Sequence, residues 1–433
     1  MANTLPDPHA AIVIDAGGVA PDGQLNAADG RSISRALGRS QRAARRRAFL
    51  LVLPLLLFIV ITFVVPIGQM LARSVYNDGF SARMPAVGEW FAAHPVGTPP
   101  DEAAYAALVS DLAKSAADKS IGVVGTRINY DYPGTRSLFT STGRKVDDLR
   151  PPFIETLPKV NAKWADPALW AVMREASRPL TPNFYLAAMD RTKNDAGKVV
   201  QVAPQQRVYL MLFLRTFILS LVITGLTFIL GFPIAHLLAT LPTRKANLLM
   251  VLVLLPFWTS LLVRTTAWIV LLQQQGVIND LLVWLGFLDN GSRLQMIYNR
   301  TGTLIAMTHV LLPFMILPLY SVMRSINPSY ERAARSLGAT SWTAFRRVYF
   351  PQTLPGLGAG ALLVFILAVG YYITPALVGG SSGQLISNMI AVHMTETLNW
   401  SLAAALAALL LGGVLILYYV YDRLVGIDNL KLG

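Results

Sequence analysis

The chain has 433 residues, of which 54% are hydrophobic and only 14% charged, too apolar for a soluble protein of this size and indicative of several membrane spans. It has no cysteine, which excludes a disulfide framework, a thiolate nucleophile and a thiolate metal site. The formal charge of +13 divides into +3 over residues 1–48 (seven Arg, four Asp), +3 over 73–207 (17 basic, 14 acidic) and +7 beyond (13 basic, six acidic). Most of the last group sits at the ends of apolar runs, as a topology signal, and nothing in the pattern calls for nucleic acid.

In chain order, residues 1–48 are rich in Ala, Gly, Asp and Arg without a long apolar period, and a disordered cytoplasmic tail is expected. Arg42, Arg45, Arg46 and Arg47 close it and place the N-terminus inside. The apolar run that follows is too long and too far from the start for a signal peptide. It predicts a first span over 49–71, about 23 residues, enough to cross a core of about 30 Å despite Pro54 and Pro66. Residues 73–207 are polar and punctuated by prolines, and predict a separate, mainly helical domain on the periplasmic side. Helices are expected at 101–118, 167–176 and 182–190, with Trp164, Trp170, Phe184 and Tyr185 seeding its core.

Apolar runs at 209–239, 248–272, 301–323, 357–379 and 400–421 predict five further spans, of which 248–272, the third of the chain, is interrupted by Pro256. Residues 277–288 are too short to cross and predict a helix at the outer interface. The expected fold is thus an all-α integral membrane protein with six transmembrane helices. Both termini, including 426–433, are inside, a large periplasmic insertion follows the first span, and 208–425 forms a five-helix core.

Between the fourth and fifth spans lies a polar, basic stretch, NPSYERAARSLGATSWTAFRRVYFPQTLPG (327–356). Asn327-Pro328 reads as a helix start, Glu331 and Arg335 can pair one turn apart, and Gly338 is placed to end the helix in a left-handed conformation. A second short helix is expected from Thr340 or Ser341 to Phe350, with Pro351 and Pro355 breaking the chain before it re-enters the membrane. Ala333, Ala334 and Gly338 would present a small-residue ridge to a partner.

This stretch resembles the EAA loop of permease subunits of ATP-binding-cassette importers, whose pattern is Glu-Ala-Ala, three residues, Gly, nine residues, Ile, one residue, Leu-Pro. Ala333-Ala334 stand at the right distance before Gly338, and Val348, Phe350 and Pro351 take the later positions. The family's Glu position is Arg332, with Glu331 one residue earlier. LLPFWTSLLVRTTAWIVLL (254–272), GVIND (276–280), HVLLPFMILPLY (309–320) and Asn399-Trp400 are similar to spermidine/putrescine-type permeases of MetI-like fold. The 73–207 segment resembles the helical insertion of some longer members.

The resemblance implies a bacterial inner-membrane subunit that forms half of a pathway with a second, homologous permease chain. It also implies two cytoplasmic ATPases that hold the ATP and Mg, and a periplasmic solute-binding protein. Glu331, Arg332, Ala333, Ala334, Gly338, Ala339, Arg346 and Pro351 would then form the ATPase-coupling surface, Arg346 alternatively reaching lipid headgroups. The chain itself has no Walker-type phosphate loop, His-Glu-x-x-His or Gly-x-Ser-x-Gly, so no catalysis, metal or bound cofactor is expected. Its five histidines read first as plain polar contacts. For the pathway the candidates are Arg264, Trp268, Asp280, Tyr371, Tyr372, Thr374 and Glu396. Arg264 serves either as pathway lining or as a structural pair, and the two tyrosines as substrate contacts or as an interfacial aromatic belt. A polyamine is the implied substrate. Region 370–380 holds no carboxylate, which keeps an amino-acid derivative, an organic acid or a phosphonate open. A secondary transporter is the remaining alternative, without the inverted repeats or midplane ion site it would favour.

Overall fold

The computed structural model describes residues 33–193 and 198–425, with side chains from 44 to 423 in that range; 1–32 and 426–433 of the expected cytoplasmic ends lie outside the described residues. The chain divides after Met70 into two units. The first contains α1 (Ile33–Ile59), a π turn (Val60–Val64) and the start of α2 (Val65–Arg73). The helix begins well before residue 49, which corrects the expected tail. Its basic segment, RALGRSQRAARRR, is built of good helix formers, so the apolar helix propagates into it. Apolar side chains are exposed along its length, Leu51 at 83%.

The second unit opens with the inserted domain: α3 (Asp78–Ser81), α4 (Pro85–Ala93), α5 (Glu102–Ala117), α6 (Ile121–Asn129), α7 (Thr135–Gly143), α8 (Phe153–Val160), α9 (Pro167–Ala176) and α10 (Asn183–Ala188). A two-stranded antiparallel ribbon, β1 (Arg191–Lys193) with β2 (Val199–Gln201), ends it. Phe80, Met84, Leu108, Leu112, Ile128, Phe139, Trp164 and Met173 fill one continuous core. Trp164 is fully buried and tied on both sides: its Nε1 donates to Thr142 Oγ1 at 3.0 Å and its carbonyl accepts from Tyr105 Oη and Trp170 Nε1 at 3.0 and 2.8 Å. Asp101 caps α5 by accepting the Ala104 N–H, and Asp166 caps α9 with Pro167 in its first turn.

The three predicted helices are present, and α3, α4, α6, α7 and α8 add to them. Sequences such as TRSLFTSTG carry a weak helical period and owe their shape to packing. Phe184 and Tyr185 depart from expectation. They pack with Leu212, Val369, Ile386, Leu402 and Leu406 of the core helices, because α10 is the last turn before the chain enters that bundle.

Asp190 makes the joint. Buried and at φ +55°, it accepts the backbone N–H groups of Val208 and Tyr209 at 3.1 Å each and of Leu210 at 2.9 Å, satisfying the free donors of the next helix. Asp190→Ala is expected to cost about 2 kcal/mol, seen as a lowered melting midpoint, and Asp190→Asn clearly less.

The core helices are α11 (Tyr209–Thr240), α12 (Thr243–Leu254), α13 (Leu261–Leu272), α14 (Val277–Trp284), α15 (Arg300–Ser325), α16 (Ser329–Ser336), α17 (Ser341–Ala344), α18 (Phe350–Gly370), α19 (Ile373–Val378), α20 (Gly380–Gly383), α21 (Ile386–Thr395) and α22 (Trp400–Val425). Among the described residues of the whole chain, five helical stretches are long and apolar enough to cross a membrane, or six if one bent pair counts as a span. That pair is the expected third span, 248–272, whose interruption at Pro256 proves to be a sharp bend rather than a break within one straight helix. The chain bends by 97° between Thr243–Trp258 and Leu261–Trp284. Pro256 sits in a 3-10 turn (Leu255–Trp258), and Thr259 and Ser260 are extended, which ends the α12 ladder.

The fifth span is also corrected: it runs as one helical stretch from Ser341 to Gly370, beginning earlier and ending sooner than 357–379. Pro351 and Pro355 do not break it. A π turn, Phe345–Tyr349, precedes Pro351, just as Val60–Val64 precedes Pro66. The wider turn makes room for the proline ring and absorbs the missing donor. At the centre of the bundle α15 packs on α11 and α18 through Leu311, Met315, Ile316 and Leu319.

Candidate functional site

The loop between α15 and α18 is a stiff hairpin. Asn327 Oδ1 accepts the Ser329 N–H at 3.0 Å and starts α16; Glu331 and Arg335 pair at 2.7 Å. Gly338, at φ +90°, stops the helix with two reverse bonds, Gly338 N–H to Arg335 O at 3.0 Å and Ala339 N–H to Ala334 O at 3.1 Å. Thr340 Oγ1 then caps α17 through the Thr343 N–H. The hairpin's outer surface is uncovered: Ala333, Arg332, Arg346 and Arg347 are exposed, Trp342 is 68% exposed and Leu337 89%.

Its inner face is anchored. Trp342, Phe345 and Tyr349 stack in sequence with centroids 5.8 and 5.7 Å apart, and Phe345 meets Phe232 and His236 of α11 edge-on. Tyr349 Oη and His236 Nδ1 are 3.1 Å apart, and Arg324 donates to Ala239 O at 3.1 Å. A cavity of about 370 Å³ lies under the hairpin, lined by His236, Arg324, Tyr330, Glu331, Tyr349 and Gln352.

The second constellation lies where α13, α15 and the break after α18 meet. Thr265 and Thr374 are fully buried with hydroxyls 3.5 Å apart. Trp268 Nε1 donates to His309 Nδ1 at 3.2 Å, and the two rings meet at 70°. The Nε of Arg264, one residue before Thr265, is buried with no hydrogen-bond partner among the described residues. Through the Thr265–Thr374 contact, α13, which carries Arg264 and Trp268, meets the segment that carries Tyr371 and Thr374. Tyr372, next to them in the chain, is exposed.

Asp280 and Glu396 are not joined to this group. Asp280 pairs with Arg293 at 2.7 Å, and Glu396 is exposed at the end of α21. Three participants were not singled out by sequence: His309, Ser387 and Asn388. His309 carries no local signature, and only the packing of α15 on α13 brings it to Trp268. Ser387 Oγ donates to Tyr371 O and Asn388 Nδ2 to Tyr372 O, both at 2.7 Å. A polar pair opening a helix just after a Gly-rich loop was the available signal.

Residues 227–426 match the family described as binding-protein-dependent transport system inner membrane component. The spermidine/putrescine transport system permease protein PotB of Salmonella typhimurium SL1344 is 34% identical over 220 residues, covering 50% of this chain and 76% of that protein. The chain belongs to this family. Its PotB counterpart in Escherichia coli K12 is likewise 34% identical over 220 residues, 50% of this permease and 79% of the relative. The E. coli inner membrane ABC transporter permease protein YdcU is 33% identical over 204 residues, 45% and 65% of the two chains. The permease is thus a multi-pass inner-membrane component without a catalytic role of its own. The inserted domain precedes the residues that carry the family match.

Proposed function

We propose that the permease forms half of the pathway of an ATP-driven importer and takes its thrust from a cytoplasmic ATPase through the 328–350 hairpin. A second, homologous permease chain completes the pathway. Two ATPases hold ATP and Mg below, and a periplasmic binding protein delivers substrate above. The observation that carries this reading is the hairpin itself. It is capped at each turn and rooted on α11, yet leaves Leu337 and Trp342 uncovered. Glu331, Arg332, Ala333, Ala334, Gly338, Ala339 and Arg346 supply the coupling surface, and Pro351 follows the π turn at its root.

Ser341–Gly370 is 30 residues of near-continuous helix, a rod of about 45 Å. A push at the hairpin is therefore delivered directly to Tyr371–Thr374. The hairpin root meets α11 at His236, and the inserted domain caps the other end of α11 through Asp190. With the hairpin in the cytoplasm, 73–207 lies in the periplasm and 208–425 forms the working core, with both termini inside.

The substrate is a polyamine, as the names of the relatives suggest. Trp268, Tyr371 and Tyr372 offer the aromatic faces that suit an organic cation. A second reading, an organic acid, phosphonate or amino-acid derivative, is favoured by Arg264, whose Nε is unsatisfied and whose neighbours include no carboxylate in 370–380.

The test is ATP hydrolysis by the assembled complex in lipid discs with its binding protein. Stimulation by spermidine-loaded binding protein of about fivefold is expected. Stimulation only by an anionic ligand selects the second reading, and failure of any ATPase to assemble with the permease overturns both.

A further inference from the structure

The fifth span ends abruptly. Tyr371 is extended, Tyr372 leaves the helix, and α19 starts at Ile373, with the Tyr372 carbonyl accepting the Ala376 N–H at 3.0 Å in its first turn. α21 bonds both carbonyls at this break. Ser387 Oγ holds the Tyr371 carbonyl and Asn388 Nδ2 the Tyr372 carbonyl, each at 2.7 Å. Asn388 is itself fixed, since its Oδ1 accepts the Leu385 N–H at 2.9 Å. Ser387 and Asn388 are both buried.

The far end of α21 is held from a different side. His393 is buried, and burial holds its imidazole below the usual histidine range. Its two ring nitrogens pair with Tyr209 Oη at 2.8 Å and Thr397 Oγ1 at 3.0 Å. The Thr397 carbonyl in turn accepts from Tyr130 Oη at 3.0 Å, and Tyr130 closes α6 in the inserted domain. Ten residues of helix, about 15 Å, thus connect a contact with the inserted domain to the break that aims Tyr371, Tyr372 and Thr374.

We propose that Ser387 and Asn388 are positioning residues of the translocation pathway, and that the inserted domain acts on them through α21. Tyr130 holds one end of that helix while its other end holds the Tyr371 and Tyr372 carbonyls. The inference rests on the pathway reading above and deepens it: the domain that precedes the family match sets the geometry of the break. Whatever displaces the inserted domain pulls on α21 and re-aims the two tyrosines.

Because the chain has no cysteine, a single Tyr372→Cys reports on the break. Its labelling by a small maleimide is timed on the full chain in native membrane vesicles. Ser387→Ala and Asn388→Asp, the latter keeping the acceptor for Leu385 while losing the donor, are each expected to change the rate by about threefold or more. Ser387→Thr restores it. Tyr130→Phe, which removes one hydroxyl, moves the rate in the same direction, whereas Tyr132→Phe, whose hydroxyl bonds Asp166 within the inserted domain, leaves it unchanged.

An unchanged rate in both Ser387→Ala and Asn388→Asp overturns the positioning role. A response there with none in Tyr130→Phe overturns the link to the inserted domain. The readout needs neither substrate nor ATPase, so its failure is distinct from a failure of the importer reading.

Discussion

On the proposed coupling role of the hairpin, Gly338→Val is expected to uncouple the permease from ATP hydrolysis while leaving its membrane core intact. At φ +90° the backbone occupies the left-handed region, and a Cβ built there meets nothing within 4 Å, so the whole effect is backbone strain. An ordinary side chain costs about 1–2 kcal/mol in this region, and a β-branched one more. Relief comes from letting go of the two reverse bonds to Arg335 O and Ala334 O, which fix α16 against α17. Since each 1.4 kcal/mol is a factor of ten in population, stimulated ATP hydrolysis and uptake are expected to fall about tenfold or more. The melting midpoint of the core should not move, because Leu311, Met315 and Leu319 lie well away from the hairpin tip. Gly338→Asn, which tolerates the left-handed region, should stay within about twofold of the parent. Normal stimulation in Gly338→Val would remove the hairpin from the transmission path.

Local chemistry made much of this legible in advance. Gly338 as a left-handed stop, a second helix starting at Thr340 or Ser341 and the Glu331–Arg335 pair are all sequence-local features, and each is present, Thr340 being the cap. Four of the six span positions followed from apolar length, the third and fifth being the exceptions. The failures share a cause: they turn on what packs against the segment. Pro351 reads as a breaker in isolation, but a π turn ending two residues earlier keeps the helix going. Pro256 reads as a tolerable interruption, but there Thr259 and Ser260 are extended and the chain turns by 97°. Phe184 and Tyr185 look like core residues of the inserted domain, yet Phe184 is buried with the bundle residues and Tyr185 is half-buried against them. At the proposed pathway, Arg264, Trp268 and Thr374 were visible as rare polar or aromatic residues in apolar runs. Their neighbours His309, Ser387 and Asn388 come from helices distant in sequence; His309 has no local signature, and the polar pair opening α21 gives only a faint one.

Gly356→Leu and Gly360→Leu are expected to abolish the folded permease. Lipid offers no hydrophobic gain for helix association, so α15 and α18 are held by close packing, and the Gly-x-x-x-Gly spacing of 356 and 360 is what allows it. A Cβ at Gly356 would sit 2.9 Å from both the Pro318 carbonyl oxygen and Val322 Cβ; one at Gly360 would sit 2.9 Å from Met315 Sδ and 3.2 Å from its carbonyl oxygen. Overpacking of this kind costs about 1–3 kcal/mol, and more where backbone must yield, so a leucine at either position forces the helices apart. The two sites separate at the level of alanine. Met315 Sδ can swing aside, while the Pro318 carbonyl cannot, so Gly356→Ala should lower the melting midpoint clearly more than Gly360→Ala. Gly225→Ala, where nothing lies within 4 Å, should leave it unchanged. The measurement is the melting midpoint of detergent-extracted protein together with its monodisperse fraction. Equal tolerance of alanine at all three positions would mean that α18 is not seated on α15. The thrust proposed for the hairpin would then have no bearing to move against on its way to Tyr371.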